Sequence, residues 1–242
     1  MLVTRAPILN LQFRRSLNGD QTLKFKICLS IMLSQDSDPS ELMDRISSKK
    51  PDLVEFRTDN LSDPTILRAI AKRKKTFTSI ATDKANRDAT IRRRLLVSAA
   101  TAGFEFVDVE FRPDDRSVLD EIKACGAKAI ISFHDYSRTP SLEGLYRILN
   151  AAKKMKGDIY KIVTTAVHPK DNLTILSFLE KKTKETKLVS FAMGPSGIPS
   201  RILSPLFGSE FTFAALDEES TTADGQLSID NLRSAWDILG LQ

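Results

Sequence analysis

Short runs of apolar and β-branched residues recur along the chain, at Leu23–Leu29, Leu53–Arg57, Phe77–Ala81, Phe106–Glu110, Ala129–His134, Ile159–Thr164, Leu188–Met193 and Phe211–Leu216. Each has the length and the residue choice of a buried strand. The segments between them change period. Ser40-Glu41-Leu42-Met43 opens one helix, and Arg92–Ala102 carries Leu95, Leu96, Ala99 and Ala100 on one stripe. Ser141-Leu142-Glu143 opens another, with Leu142, Leu145, Leu149 and Ala152 at helical spacing. Strands alternating with single helices predict right-handed βαβ units and a parallel sheet. Eight such strands in 242 residues favour a closed (β/α)8 TIM barrel. An open doubly wound sheet fits less well, and no GxGxxG follows the first run. No low-complexity linker divides the chain, so 1–242 reads as a single barrel domain, with the barrel over 23–242. Asn18-Gly19-Asp20 is a turn signal, and residues 1–22 are expected to form an N-terminal extension or a hairpin closing the base.

Strands of a parallel barrel are covered on both faces and should be apolar on both. Four of these are not. Period-2 counting places Glu55 and Arg57 opposite Val54 and Phe56, and Asp108 and Glu110 opposite Val107 and Val109. Ser132 and His134 oppose Ile131 and Phe133, and Lys161 opposes Tyr160 and Ile162. One such residue could be a strand-end side chain reaching water. Four strands with the same pattern predict a cluster of Glu55, Arg57, Glu110, His134 and Lys161 at the carboxyl ends, where barrel enzymes place their sites. His134 and Lys161 are 161 − 134 = 27 residues apart, one βα repeat, so their strands should be neighbours. Burial and a nearby arginine would disfavour the ammonium form of Lys161 and free its amine to attack a carbonyl. An imidazole beside it can move protons near neutral pH. Amine and imidazole together point to Schiff-base chemistry, whereas His168, beyond a strand end, is expected to be a surface residue.

Composition narrows the chemistry further. Two histidines cannot build a three-histidine zinc site, and two cysteines cannot build a four-cysteine site or a disulfide framework. Cys28 and Cys125 are expected to be reduced thiols of a cytoplasmic protein. The chain has no apolar run of membrane-spanning length, and its first residues lack the pattern of a secretory signal. The net charge of +5 comes mainly from Lys72–Lys75, Arg92–Arg94 and the 181–187 stretch, which are expected to be solvated helix faces rather than a nucleic-acid surface. The surplus favours an anionic ligand. Pro199-Ser200-Arg201 resembles a helix start whose amides and arginine suit a carboxylate. Thr221–Gln226 is a polar segment expected to close over the mouth.

These residues closely resemble the type I 3-dehydroquinate dehydratases, from about Leu23 to Trp236. The motifs are Glu55-Phe56-Arg57, Asp108-Val109-Glu110, Ile131-Ser132-Phe133-His134-Asp135, Asp158-Ile159-Tyr160-Lys161-Ile162, Met193-Gly194 with Ser200-Arg201, and Gly225-Gln226. The resemblance implies dehydration of 3-dehydroquinate to 3-dehydroshikimate in the shikimate pathway, with no metal or organic cofactor. It implies that Lys161 forms the imine, that His134 moves the proton and that Glu55 is the carboxylate partner of His134. Arg201 resembles the carboxylate clamp, Arg57 and Gln226 match substrate contacts, and Thr222 falls where the family usually has serine. The partner implied is a small carboxylate substrate, with neither nucleic acid nor membrane, and the family usually forms homodimers. One departure is Ala81, which occupies the expected position of a third-strand arginine; Arg87 or Lys84 is expected to reach in instead. The alternatives are a class I aldolase-like barrel acting on a phosphorylated substrate and a degenerate barrel that only binds a ligand.

Overall fold

A computed structural model describes residues 25–74, 76–83, 88–112 and 116–241. The strands are β1 (Ile27–Met32), β2 (Leu53–Arg57), β3 (Thr78–Thr82), β4 (Phe106–Glu110), β5 (Lys128–His134), β6 (Ile159–Thr165), β7 (Leu188–Met193) and β8 (Thr212–Ala215). Helices follow them in turn: α1 (Pro39–Lys49), α2 (Thr65–Arg73), α3 (Ala89–Ala102), α4 (Arg116–Ala124), α5 (Leu142–Lys153), α6 (Asp171–Lys182), α7 (Ile198–Leu203) and α8 (Ile229–Leu239). The strands pair in the order β7-β6-β5-β4-β3-β2-β1-β8, all ladders parallel, and β7 lies against β8. The result is a nearly closed (β/α)8 barrel. The expected extension or hairpin over 1–22 lies outside the described residues.

Local chemistry explains the boundaries. Asp38, Asp88, Ser141 and Ser228 cap α1, α3, α5 and α8, each accepting from an amide of the first turn that would otherwise lack a partner. Gly103 ends α3 at φ +98°, a conformation a side chain would oppose. β2, β4 and β7 occupy the predicted spans. β1 starts at Ile27, later than expected, because its register is fixed by β2 and β8: the Ile27 amide donates to Asp52 Oδ2 at 3.1 Å and the Thr212 amide to the Lys26 carbonyl at 3.1 Å.

Outward-facing residues meet the helices in two apolar clusters, one on each half of the barrel, and the inward set fills the lumen with Cys28, Leu53, Ile80, Ile130, Ile159, Val189 and their neighbours. Arg92 departs from the solvated face expected of its run. It is buried on α3, whereas Arg93 and Arg94 are exposed. Among the described residues, no helix is long and apolar enough to cross a membrane.

Candidate active site

A cavity of about 310 Å³ opens at the carboxyl ends of the strands. The predicted residues come together there: Glu55, Arg57, His134, Lys161, Arg201, Thr222 and Gln226 all line it. Arg57, Glu110 and His134 are the last residues of β2, β4 and β5, which carries their side chains to the mouth. Lys161 lies deeper, as the third residue of β6. His168 is exposed, as expected for a loop residue outside the site.

Lys161 is 5% exposed, and its Nζ donates to Asp108 Oδ2 at 2.9 Å and Glu55 Oε1 at 3.3 Å. It also stands 4.6 Å from the centre of the Phe213 ring. These neighbours overturn one expectation. Burial does oppose the ammonium, and Arg57 adds to that, but Asp108 and Glu55 outweigh both and raise the pKa above the ordinary lysine value. The resting lysine is therefore a paired ammonium, not a free amine. Burial would push Glu55 up, yet Lys161, Arg57 and the Ser30 hydroxyl, at 2.5 Å, hold it below the usual carboxylate range.

The second correction concerns the partner of His134. Glu55 is occupied by Lys161 and Ser30, and the carboxylate on His134 Nδ1 is Glu110, at 2.6 Å. Glu110 also accepts from the His134 amide at 3.1 Å and the Ser132 hydroxyl at 3.2 Å. The physical reason is strand order. β4 pairs with β5, with Glu110 beside Ser132, whereas β2 is separated from β5 by two strands. Burial opposes ionisation of Glu110, but the His134 contact prevails and its pKa falls. A carboxylate at Nδ1 fixes the proton on that nitrogen and leaves Nε2 as the acceptor.

Ala81 is the third correction. It packs in the outer apolar layer with Val54 and Phe56, so its side chain cannot point to the mouth. Thr82 and Asp83 are the residues near the end of β3 that line the cavity. Lys84 and Arg87, expected to reach in, lie outside the described residues.

The far side of the mouth carries a buried arginine. Arg201 in α7 is 1% exposed, with its guanidinium 4.5 Å above the Phe191 ring and Nη2 donating to the Asp224 carbonyl at 3.1 Å. Its Nε has no hydrogen-bond partner among the described residues. Burial lowers its pKa to about 10, so the guanidinium remains charged at neutral pH. A buried, charged donor without a partner is costly unless a ligand supplies one. The 221–226 segment folds over this side as expected. Thr222 Oγ1 donates to Ser30 Oγ at 2.9 Å, the Thr222 amide to Gln226 Oε1 at 2.7 Å, and the Gly194 amide to the Asp224 carbonyl at 3.1 Å.

Asp108, Ser30 and Tyr136 were not among the residues singled out for the site. Period-2 counting had already turned Asp108 inward; Ser30 was obscured by the displaced start of β1. Tyr136 lies in a loop, where strand periodicity carries no information.

Comparison with known proteins adds four findings. The family described as Type I 3-dehydroquinase matches residues 27–242. The 3-dehydroquinate dehydratase of Pyrococcus abyssi is 34% identical over 206 residues, covering 83% of this chain and 93% of that protein. The enzyme of the same name from Dehalococcoides mccartyi strain BAV1 is 40% identical over 135 residues; that match covers 55% of this chain and spans 60% of the relative's length. The crystal structure of 3-dehydroquinate dehydratase from Geobacillus kaustophilus superposes with a TM-score of 0.79 at 24% identity, covering 90% of this chain and 91% of that one, which shows a shared fold.

Proposed function

The chain belongs to the type I 3-dehydroquinase family, and from that premise we propose that it dehydrates 3-dehydroquinate to 3-dehydroshikimate through an imine on Lys161, a step of the shikimate pathway. The observation that carries the reading is the buried Lys161 held between two carboxylates, in a cavity that also contains an arginine with an unpartnered donor. The Arg201 fork takes the substrate carboxylate, which sets the C3 ketone over Lys161. Asp108, at 2.9 Å, accepts the ammonium proton as the ketone arrives. The amine then adds to C3, and loss of that oxygen as water gives the iminium.

The iminium draws electrons from the adjacent C2–H bond. His134 removes that proton through Nε2, since Glu110 holds the hydrogen on Nδ1. The electron pair left at C2 forms an enamine. Its collapse expels the C1 hydroxyl, which leaves as water with the proton His134 gained. Water hydrolyses the conjugated iminium, releasing 3-dehydroshikimate and Lys161, so the net change is loss of one water. Glu55 acts on the lysine side, pairing its charge, while Arg57, Thr222 and Gln226 contact the substrate's polar groups. We place the enzyme in the cytoplasm as a homodimer; its two free cysteines fit a reducing compartment.

The test is borohydride reduction in the presence of 3-dehydroquinate, read by mass on the intact chain, beside an ultraviolet assay for the conjugated enone. The wild type should gain a covalent adduct on Lys161 and produce the enone. An adduct of the same mass in Lys161→Ala overturns the assignment.

A further inference from the structure

The loop after β5 places an aromatic ring where the core cannot use it. Tyr136 is 74% exposed, yet it lines the cavity and stacks on the His134 ring, centroids 5.8 Å apart and planes 16° from parallel. Its backbone is held by its neighbours. Asp135 Oδ1 accepts from the Ser137 amide at 2.9 Å, the Ser137 hydroxyl at 2.7 Å and the Arg138 amide at 3.0 Å, while the Asp135 amide donates to the Val163 carbonyl at 2.9 Å. A large apolar ring held this far out of the core gains little from folding. Its position has a use only if something else covers it.

The charge layout indicates what does. Arg201 and the 221–226 segment form the anion side of the cavity, next to β7 and β8, and Lys161 lies between them and the opposite side. That opposite side carries Arg57, whose Nε lacks a partner among the described residues, with Glu110 and the Tyr136 ring. Partial desolvation at the cavity mouth and Glu110 push the phenol pKa up against the pull of Arg57 and Lys161, so the hydroxyl stays neutral and able to donate. A ring with its carboxylate on Arg201 and its carbonyl on Lys161 must present its remaining edge here.

Resting on the proposed function, we infer that Tyr136 is a specificity-determining residue: its phenol hydrogen-bonds a hydroxyl on the edge of the substrate ring remote from the carboxylate, while its ring covers His134 against water. Tyr136→Phe removes only the hydroxyl, and Tyr136→Ala removes the cover as well. Because the side chain is exposed, both variants should keep the wild-type Tm. Tyr136→Phe should raise KM for 3-dehydroquinate about three- to tenfold with kcat little changed. Tyr136→Ala should raise KM at least as far and also lower kcat about tenfold. An analogue lacking the remote hydroxyl should show no difference in KM between wild type and Tyr136→Phe. A KM in Tyr136→Phe within twofold of an active wild type overturns the inference but leaves the imine reading intact. No turnover and no borohydride adduct in the wild type overturns both.

Discussion

Glu110→Gln isolates the contact that orients His134, the acid–base residue of the proposed mechanism. The Glu110 Oε2 to His134 Nδ1 bond is 2.6 Å, and both side chains are 17% exposed, so water can replace it only in part. Glutamine keeps the shape and can still accept from the His134 amide. It loses the charge, and its amide group, turned to Nδ1, would force the ring proton onto Nε2. A charge-assisted hydrogen bond of this kind is worth about 1.5–3 kcal/mol, or roughly ten- to a hundredfold or more in rate once the imidazolium must form. The wrong tautomer removes the base as well, and positioned proton transfer contributes about 10²–10⁴. Enone production should therefore fall at least about a hundredfold, while borohydride still traps the Lys161 imine with unchanged yield. The sign of the pH effect follows from Glu110. Its folded pKa is depressed, so it contributes stability above its unfolded value near 4.5 and loses it as pH falls through the folded one. Glu110→Gln should reduce the loss of Tm between neutral and acid pH. Enone production within about threefold of wild type would refute the role given to this pair.

Asp108→Asn leaves Glu55 alone to favour the Lys161 ammonium against burial and Arg57, so the free amine should be present at lower pH. Borohydride trapping should reach its half-maximum at least about one pH unit below wild type; an unmoved midpoint contradicts the pairing. In the same variant the stability that the raised lysine pKa supplies below pH 10.5 should shrink, seen as a lower Tm at neutral pH. Gly225→Ala tests the closed segment. Gly225 has φ +69°, and an added Cβ would lie 2.4 Å from the Gly194 carbonyl oxygen. A strain of about 1–2 kcal/mol should displace the segment and raise KM roughly tenfold, and an unchanged KM would show that its closure does not contribute to binding.

The barrel was legible because its outer layers obey one rule. Valines and phenylalanines opposite charged residues gave both the strands and the direction of their polar sides, and β2, β4 and β7 fell on the predicted spans. Pairing between those polar residues was harder. The adjacency that joined β5 to β6 applies equally to β4 and β5, and it favours Glu110 over Glu55 as the partner of His134. The lysine environment failed for another reason: burial is visible in an apolar run, whereas the number of carboxylates reaching one ammonium depends on barrel closure. Ala81 shows the limit of motif matching, since a shift of one residue exchanges core and mouth. Tyr136 and the turn at Asp135 belong to a loop, where no repeat constrains the side chain.

Closure of the barrel explains why these charges tolerate one another. Alternate strands of such a barrel supply four side chains to a common layer. Here β2, β4, β6 and β8 supply Glu55, Asp108, Lys161 and Phe213, with the lysine in contact with the other three. Beneath it, Cys28, Ile80, Ile130 and Val189 come from the other four strands and form an apolar plug. That plug denies water to the lysine from below and makes the carboxylates its principal source of compensation. Paired charges in such a place are poor stabilisers, because apolar side chains of similar volume would fold at least as well. The layer is better understood through what it does to the amine. Two carboxylates hold the Lys161 ammonium in place, and in the proposed mechanism a ketone arriving above it needs only one short proton transfer to Asp108 to meet a nucleophile. Glu110, two residues further along β4 and on the same face, contacts His134 instead. The inward alternation of a single strand, Asp108 then Glu110, thus gives Lys161 and His134 a carboxylate each.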